Sequence, residues 1–182
     1  PAVIFGLGGF LGAQVEHVNQ LNASAWLPWL LLCLEGAMEP RYRRWRWPAL
    51  LCGGGIAGLV LLAGHTQAAS ILFFGAGAYA LFRGLPAFRT RQWLAGLRGL
   101  GSLAAMGLMG AILAAGQLLP TLELSRLSVR SGGLPYNEAA SFSLKPGLVF
   151  KAFLPPLFWE VPFSEYVAYV GLVGLALAAL GA

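Results

Sequence analysis

The chain has 182 residues, of which 58% are hydrophobic and only 10% charged, with 25 glycines and a net charge of +5. That balance excludes a soluble globular domain, and the helical length of the apolar runs excludes a lipid-facing β-barrel, which leaves an all-α, polytopic transmembrane helix bundle. The basic residues cluster where apolar runs end, so the expected partner is the lipid bilayer and not nucleic acid.

About six full or partial membrane helices are predicted. The sequence starts without a Met and stops inside an apolar run, so the expectation is a single transmembrane domain over residues 1–182, internal to a longer polytopic protein. Residues 1–13 (PAVIFGLGGFLGA) read as a helix tail without a signal-peptide pattern. Gly8 and Gly12 stand there at the spacing that lets another helix approach closely. The next stretch, QVEHVNQLNASAW, carries Glu16, His17, Asn19, Gln20 and Asn22 and reads as a membrane-surface turn.

Residues 26–38 (WLPWLLLCLEGAM) return through the membrane, with Trp26 and Trp29 at headgroup level and Pro28 tolerated in the first turn. EPRYRRWRWP follows, holding Arg41, Arg43, Arg44 and Arg46, and the positive-inside rule makes this loop cytoplasmic. Residues 49–63 run outward with Gly54 and Gly58 as a second close-packing pair, and GHTQ places His65 outside. Residues 68–82 run back to a second basic loop, RGLPAFRTRQWLAGLR, with Arg83, Arg89, Arg91 and Arg98.

Residues 99–119 form the one apolar run of full spanning length and lead outward. Several of the other runs have only about 15 residues against the roughly 20 needed to span, so their helices are expected to extend into the polar flanks. Residues 120–166 read as an external loop region with short interfacial helices, broken by Gly132-Gly133 and Pro155-Pro156. Residues 167–182 begin the next helix inward.

At helical spacing Glu123, Arg126 and Arg130 fall within about a sixth of a turn of one another, forming one polar edge beyond an apolar rod. Arginine binds phosphate bidentately, which makes this edge a candidate site; an interfacial Glu123–Arg126 salt bridge with a snorkelling Arg130 is the structural alternative. With this topology the histidines, Gln67 and most carboxylates lie outside, around an expected polar cavity. His65, between Gly64 and Gln67 at a helix exit, is the more informative histidine. His17, beside Glu16 in a polar turn, reads more simply as a surface residue.

Two histidines and scattered glutamates at no ligand spacing do not make a zinc site, and no metal or cofactor is expected. The chain contains no Asp, and no Ser-His or Cys-His arrangement stands at a readable spacing. Apart from Gln117, no charged or polar residue is read in the middle of an apolar run, which disfavours a carrier. Cys33 and Cys52 read as packing residues.

The runs FGLGGFLGAQVEHVNQLNASAWLPWLLLCLE, AGHTQ, AAGQLLPTLELSRLSVRSGGLPYNEAASFSLKP, FLPPLFW and EYVAYVGLVGL resemble the bacterial YfhO family over nearly the whole chain. Those proteins look like GT-C glycosyltransferases of the bacterial plasma membrane. The resemblance implies transfer of a sugar from a polyprenyl-phosphate-linked donor to a cell-envelope glycan or teichoic acid acceptor on the outer face. It also implies a catalytic acidic residue in a first external loop, upstream of this sequence. His17, His65, Gln67, Pro120, Glu123 and Arg130 match family positions, and Arg126 with Arg130 suits a lipid phosphate. The alternative is a non-catalytic flippase, export component or scaffold that holds a lipid-linked glycan.

Overall fold

The computed structural model describes residues 5–128, 132–133, 135–141, 143, 145–154 and 167–181. Among these, all regular structure is helical. The chain divides into two compact units, one of Pro1–Leu21 with Val129–Ala182 and the other of Asn22–Ser128.

In the first unit, helix α1 (Gly9–Ala13) is followed by a 3-10 turn, Gln14–Glu16. A close backbone approach occurs at Gly9, whose N–H donates to the Tyr169 carbonyl at 2.7 Å. A Cβ on Gly12 would meet nothing. Short helices α8 (Tyr136–Ala139) and α9 (Val149–Ala152) and a 3-10 turn, Pro146–Leu148, break the segment read as a loop. The final helix, α10, begins at Leu172 and not at 167, because Val167 to Gly171 is not helical: Ala168 N–H bonds the Ala152 carbonyl, and Gly171 has φ +84.

Helix α2 (Val18–Ala25) occupies much of the stretch read as a surface turn. Its polar residues have middling helix propensity, and the buried Ala23 in the core of the second unit supplies the packing that they lack. Helix α3 (Leu27–Met38) agrees with the sequence reading. At 12 residues it is about 18 Å long, too short to cross the roughly 30 Å hydrocarbon layer.

Among the described residues three helices are long and apolar enough to cross a membrane. The first, Arg41–Leu62, joins a 3-10 turn (Pro40–Trp45) to helix α4 (Arg46–Leu62). The others are α5 (Thr66–Arg89) and α6 (Trp93–Leu113). Each grows into the flanks that the sequence assigned to loops. Residues 83–89 and 93–98 are therefore helical, and the basic loop shrinks to Thr90–Gln92.

The physical reason lies in how α5 stops. Arg91 adopts a left-handed φ of 59°, while Arg91 N–H bonds the Phe88 carbonyl and Gln92 N–H the Ala87 carbonyl, the two crossed bonds that satisfy a helix C-terminus. The Thr90 hydroxyl lies 3.2 Å from the carbonyl of Pro86 and 3.0 Å from that of Ala87, a further donor to the last carbonyls of the helix.

Helix α6 packs against both α4 and α5, whereas α4 and α5, neighbours in sequence, barely meet. Small residues set these contacts. Gly54 faces Met109, and a Cβ on Gly110 would lie 2.6 Å from the Ala57 Cβ and 2.7 Å from the Gly58 nitrogen. The Gly54/Gly58 pair is thus a close-packing surface as expected. Only 22–28% of each span's apolar stretch is buried against protein, and residues such as Phe74, 82% exposed, face outward, as lipid contact requires.

The apolar run 99–119 is not one rod. It breaks at Ala114, and a separate helix, α7 (Ala115–Leu127), carries the Glu123 edge. Pro120 deprives the Gly116 carbonyl of its donor, and Gly116 itself disfavours helix, so the rod is weakest here.

Candidate functional site

The antiparallel course of α4, α5 and α6 gives the second unit two chemically different ends. One gathers Arg43, Arg46, Arg83, Arg89, Arg91 and Arg98; the other holds Gly64, His65, Thr66 and the start of α7.

At the His65 end, α4 terminates at Gly64, whose φ of +77° a side chain would resist. His65 then caps α5, its Nδ1 accepting the Ala68 N–H at 3.0 Å. That bond leaves the proton of a neutral ring on Nε2, which is thereby a donor. The half-buried Gln117 of α7 reaches the same turn, its Nε2 lying 3.5 Å from where a Gly64 Cβ would stand. The AGHTQ and AAGQ segments are therefore adjacent in space. Gln67, Glu123 and Arg126 are exposed, and α7 has no buried residue.

Among the described residues neither Glu123 nor Arg126 makes an ion pair, so the Glu123–Arg126 bridge considered from the sequence is not formed. Arg130 lies outside the described residues. His17 belongs to the other unit, where it ends the 3-10 turn half-buried, its N–H bonded to the Gln14 carbonyl at 2.8 Å. Among the described residues no three of His, Cys, Asp or Glu converge on a point that would hold a metal ion.

The arginine-rich end holds a network that the sequence reading missed. Glu35 accepts from Tyr79 Oη at 2.5 Å and from Arg83 Nε and Nη2 at 2.7 and 3.1 Å. Arg83 Nη2 also lies 3.5 Å from Glu39 Oε2. Glu35 on α3 with Glu39 at its C-terminal cap, and Tyr79 with Arg83 on α5, are both i, i+4 pairs, so each side presents two polar groups about one turn apart to the other. Beside the network a cavity of about 320 Å³ is lined by Ala37, Met38, Glu39, Arg43, Arg46 and Arg98. The spacing of Glu35, Glu39, Tyr79 and Arg83 was the available signal, hidden because Arg83 reads as a loop residue.

Cys33 packs half-buried against the core, as expected, whereas Cys52 is exposed. No protein-family model, curated protein or solved structure matches the chain.

Proposed function

We propose that the chain belongs to a GT-C-like, YfhO-type glycosyltransferase of the bacterial plasma membrane, with about six full or partial spans. It moves a sugar from a polyprenyl-phosphate-linked donor to a cell-envelope glycan or teichoic acid acceptor. The observation that carries this reading is the meeting of Gly64 and Gln117, which joins at one end of the bundle two of the segments on which the family resemblance rests. In the proposed orientation that end, with His17 and residues 120–166, is external, and Arg41–Arg46 and Arg83–Arg98 are cytoplasmic. The concentration of arginine at the opposite end supports that sidedness.

An acceptor hydroxyl attacks the anomeric carbon while a carboxylate acting as general base takes its proton, and the bond from that carbon to the phosphate oxygen breaks, so negative charge returns to the lipid phosphate. Arg126 and Arg130 hold that phosphate, Glu123 bonds sugar hydroxyls, and His65 with the Gln67 and Gln117 amides lines the sugar site. A second reading, a non-catalytic flippase, export component or scaffold, is favoured by the exposure of Glu123 and Arg126 on a helix without a buried face.

Binding of undecaprenyl phosphate to purified protein tests the site. Loss of a charge-assisted contact costs roughly 1.5–3 kcal/mol, so Arg126→Ala is expected to weaken binding about tenfold to a hundredfold. Arg126→Lys keeps the charge without the two-point fork and should fall between. Equal affinity of all three proteins removes Arg126 from the site. Sugar release from the loaded donor, dependent on acceptor, separates transferase from scaffold.

A further inference from the structure

We infer that the arginine-lined cavity at the opposite end of the bundle is a second phosphate-binding site, taking the headgroup phosphate of an anionic lipid or a water-soluble phosphate ester. Three elements converge on it: the end of α3 with Glu39, the 3-10 turn and α4 start with Arg43 and Arg46, and α6 with Arg98. Its volume of about 320 Å³ falls at the lower end of the range for small-ligand pockets, about 300–1,000 Å³.

The charge around it is unbalanced. Among the described residues Arg43, Arg46 and Arg98 make no ion pair, while Glu39, the one carboxylate of the lining, lies against Arg83. Three guanidiniums against one carboxylate leave a net charge of +2 on the lining, and adding Arg83 with Glu35 leaves that sum unchanged. Like charges converging on one cavity repel, and an anion with several acceptor oxygens removes the repulsion while engaging the planar donors in pairs.

The cavity's surroundings favour the lipid as the source. Tyr42, Trp45 and Trp47 interleave with its arginines and are 48%, 54% and 73% exposed. Exposed indole rings beside apolar spans take the headgroup layer, where lipid phosphates are concentrated. A basic pocket between membrane helices is a headgroup site by the same physics. The helix α4 alone, 17 residues or about 25 Å long, separates this cavity from the His65 end, so the inference stands apart from the proposed transferase site.

Native mass spectrometry of the purified protein in neutral detergent, titrated with phosphatidylglycerol or phosphatidylcholine, tests it. Phosphatidylglycerol should bind preferentially, and Arg43→Gln with Arg98→Gln should weaken it about tenfold or more. Arg41→Gln with Arg44→Gln removes the same charge from the same end outside the cavity lining and should change it little. Competition with glycerol 3-phosphate identifies the source: displacement marks a soluble ester, and retention marks the lipid, and either supports a phosphate site. Equal weakening by the two double variants reduces the effect to general surface charge and overturns the inference, as does no weakening by either. Matching melting temperatures of the two double variants exclude unfolding as the cause. Intact undecaprenyl phosphate binding in Arg43→Gln/Arg98→Gln separates this outcome from that of the site at Arg126.

Discussion

Glu35 takes three hydrogen bonds from two side chains of α5, and its removal leaves the Arg83 guanidinium only Glu39, 3.5 Å away. Hydrogen bonds to charged groups contribute about 1.5–3 kcal/mol, and partial exposure of Arg83 screens part of that, so Glu35→Ala is expected to cost about 1–2 kcal/mol. Tyr79→Phe removes one neutral donor and should cost about 1 kcal/mol or less. Thermal unfolding in detergent measures both, and a Glu35→Ala protein that melts with the wild type would show the network to be ornamental. The sequence displays Glu35 as the last polar residue of an apolar run. Its partners stand 44 and 48 residues later, and their matching i, i+4 spacing shows only once Arg83 is placed on a helix. Gln14 was equally illegible: its side chain is fully buried with no hydrogen-bond partner among the described residues, in a stretch whose composition reads as a solvated turn.

Contacts between elements were more legible, because close helix packing needs small residues and those are visible as spacing. Gly54 and Gly58 stand out in the sequence, but their counterpart Gly110 sits among several glycines of α6 that differ only in the face they take. Gly110 lies against Ala57 and Gly58, whereas a Cβ on Gly107 would meet nothing within 4 Å. Gly110→Ala should therefore force α4 and α6 apart at a cost on the order of 1–3 kcal/mol. Gly107→Ala, one turn away, should be neutral or stabilise by up to about 1 kcal/mol through helix propensity. Comparable melting of the two variants would contradict the packing described. Helix ends were the least legible feature at this scale, since the stop of α5 depends on a left-handed Arg91 where a glycine would have announced it.

For the whole molecule, helical class and a membrane setting follow from composition, whereas the number of spans does not: apolar runs identify lipid-compatible segments but not whether each reaches across. The proposed orientation puts Arg44 in the cytoplasm, and labelling of Arg44→Cys, with Cys33 and Cys52 replaced by Ala, checks it in intact cells. An impermeant thiol reagent should leave that cysteine unmodified until the membrane is opened, and modification beforehand reverses the orientation. The placement of α6 between α4 and α5 also has a consequence for how the protein is made. Synthesis delivers α3, α4 and α5 to the bilayer first, yet α4 and α5 share few contacts, and most of the surface that joins them belongs to a helix still in the ribosome. Until α6 arrives, Gly54 and Gly58 have lipid where a helix must later fit. Biogenesis is therefore gated by the third span: the order of the helices along the message makes the preceding hairpin wait, unassembled, for the segment that completes it.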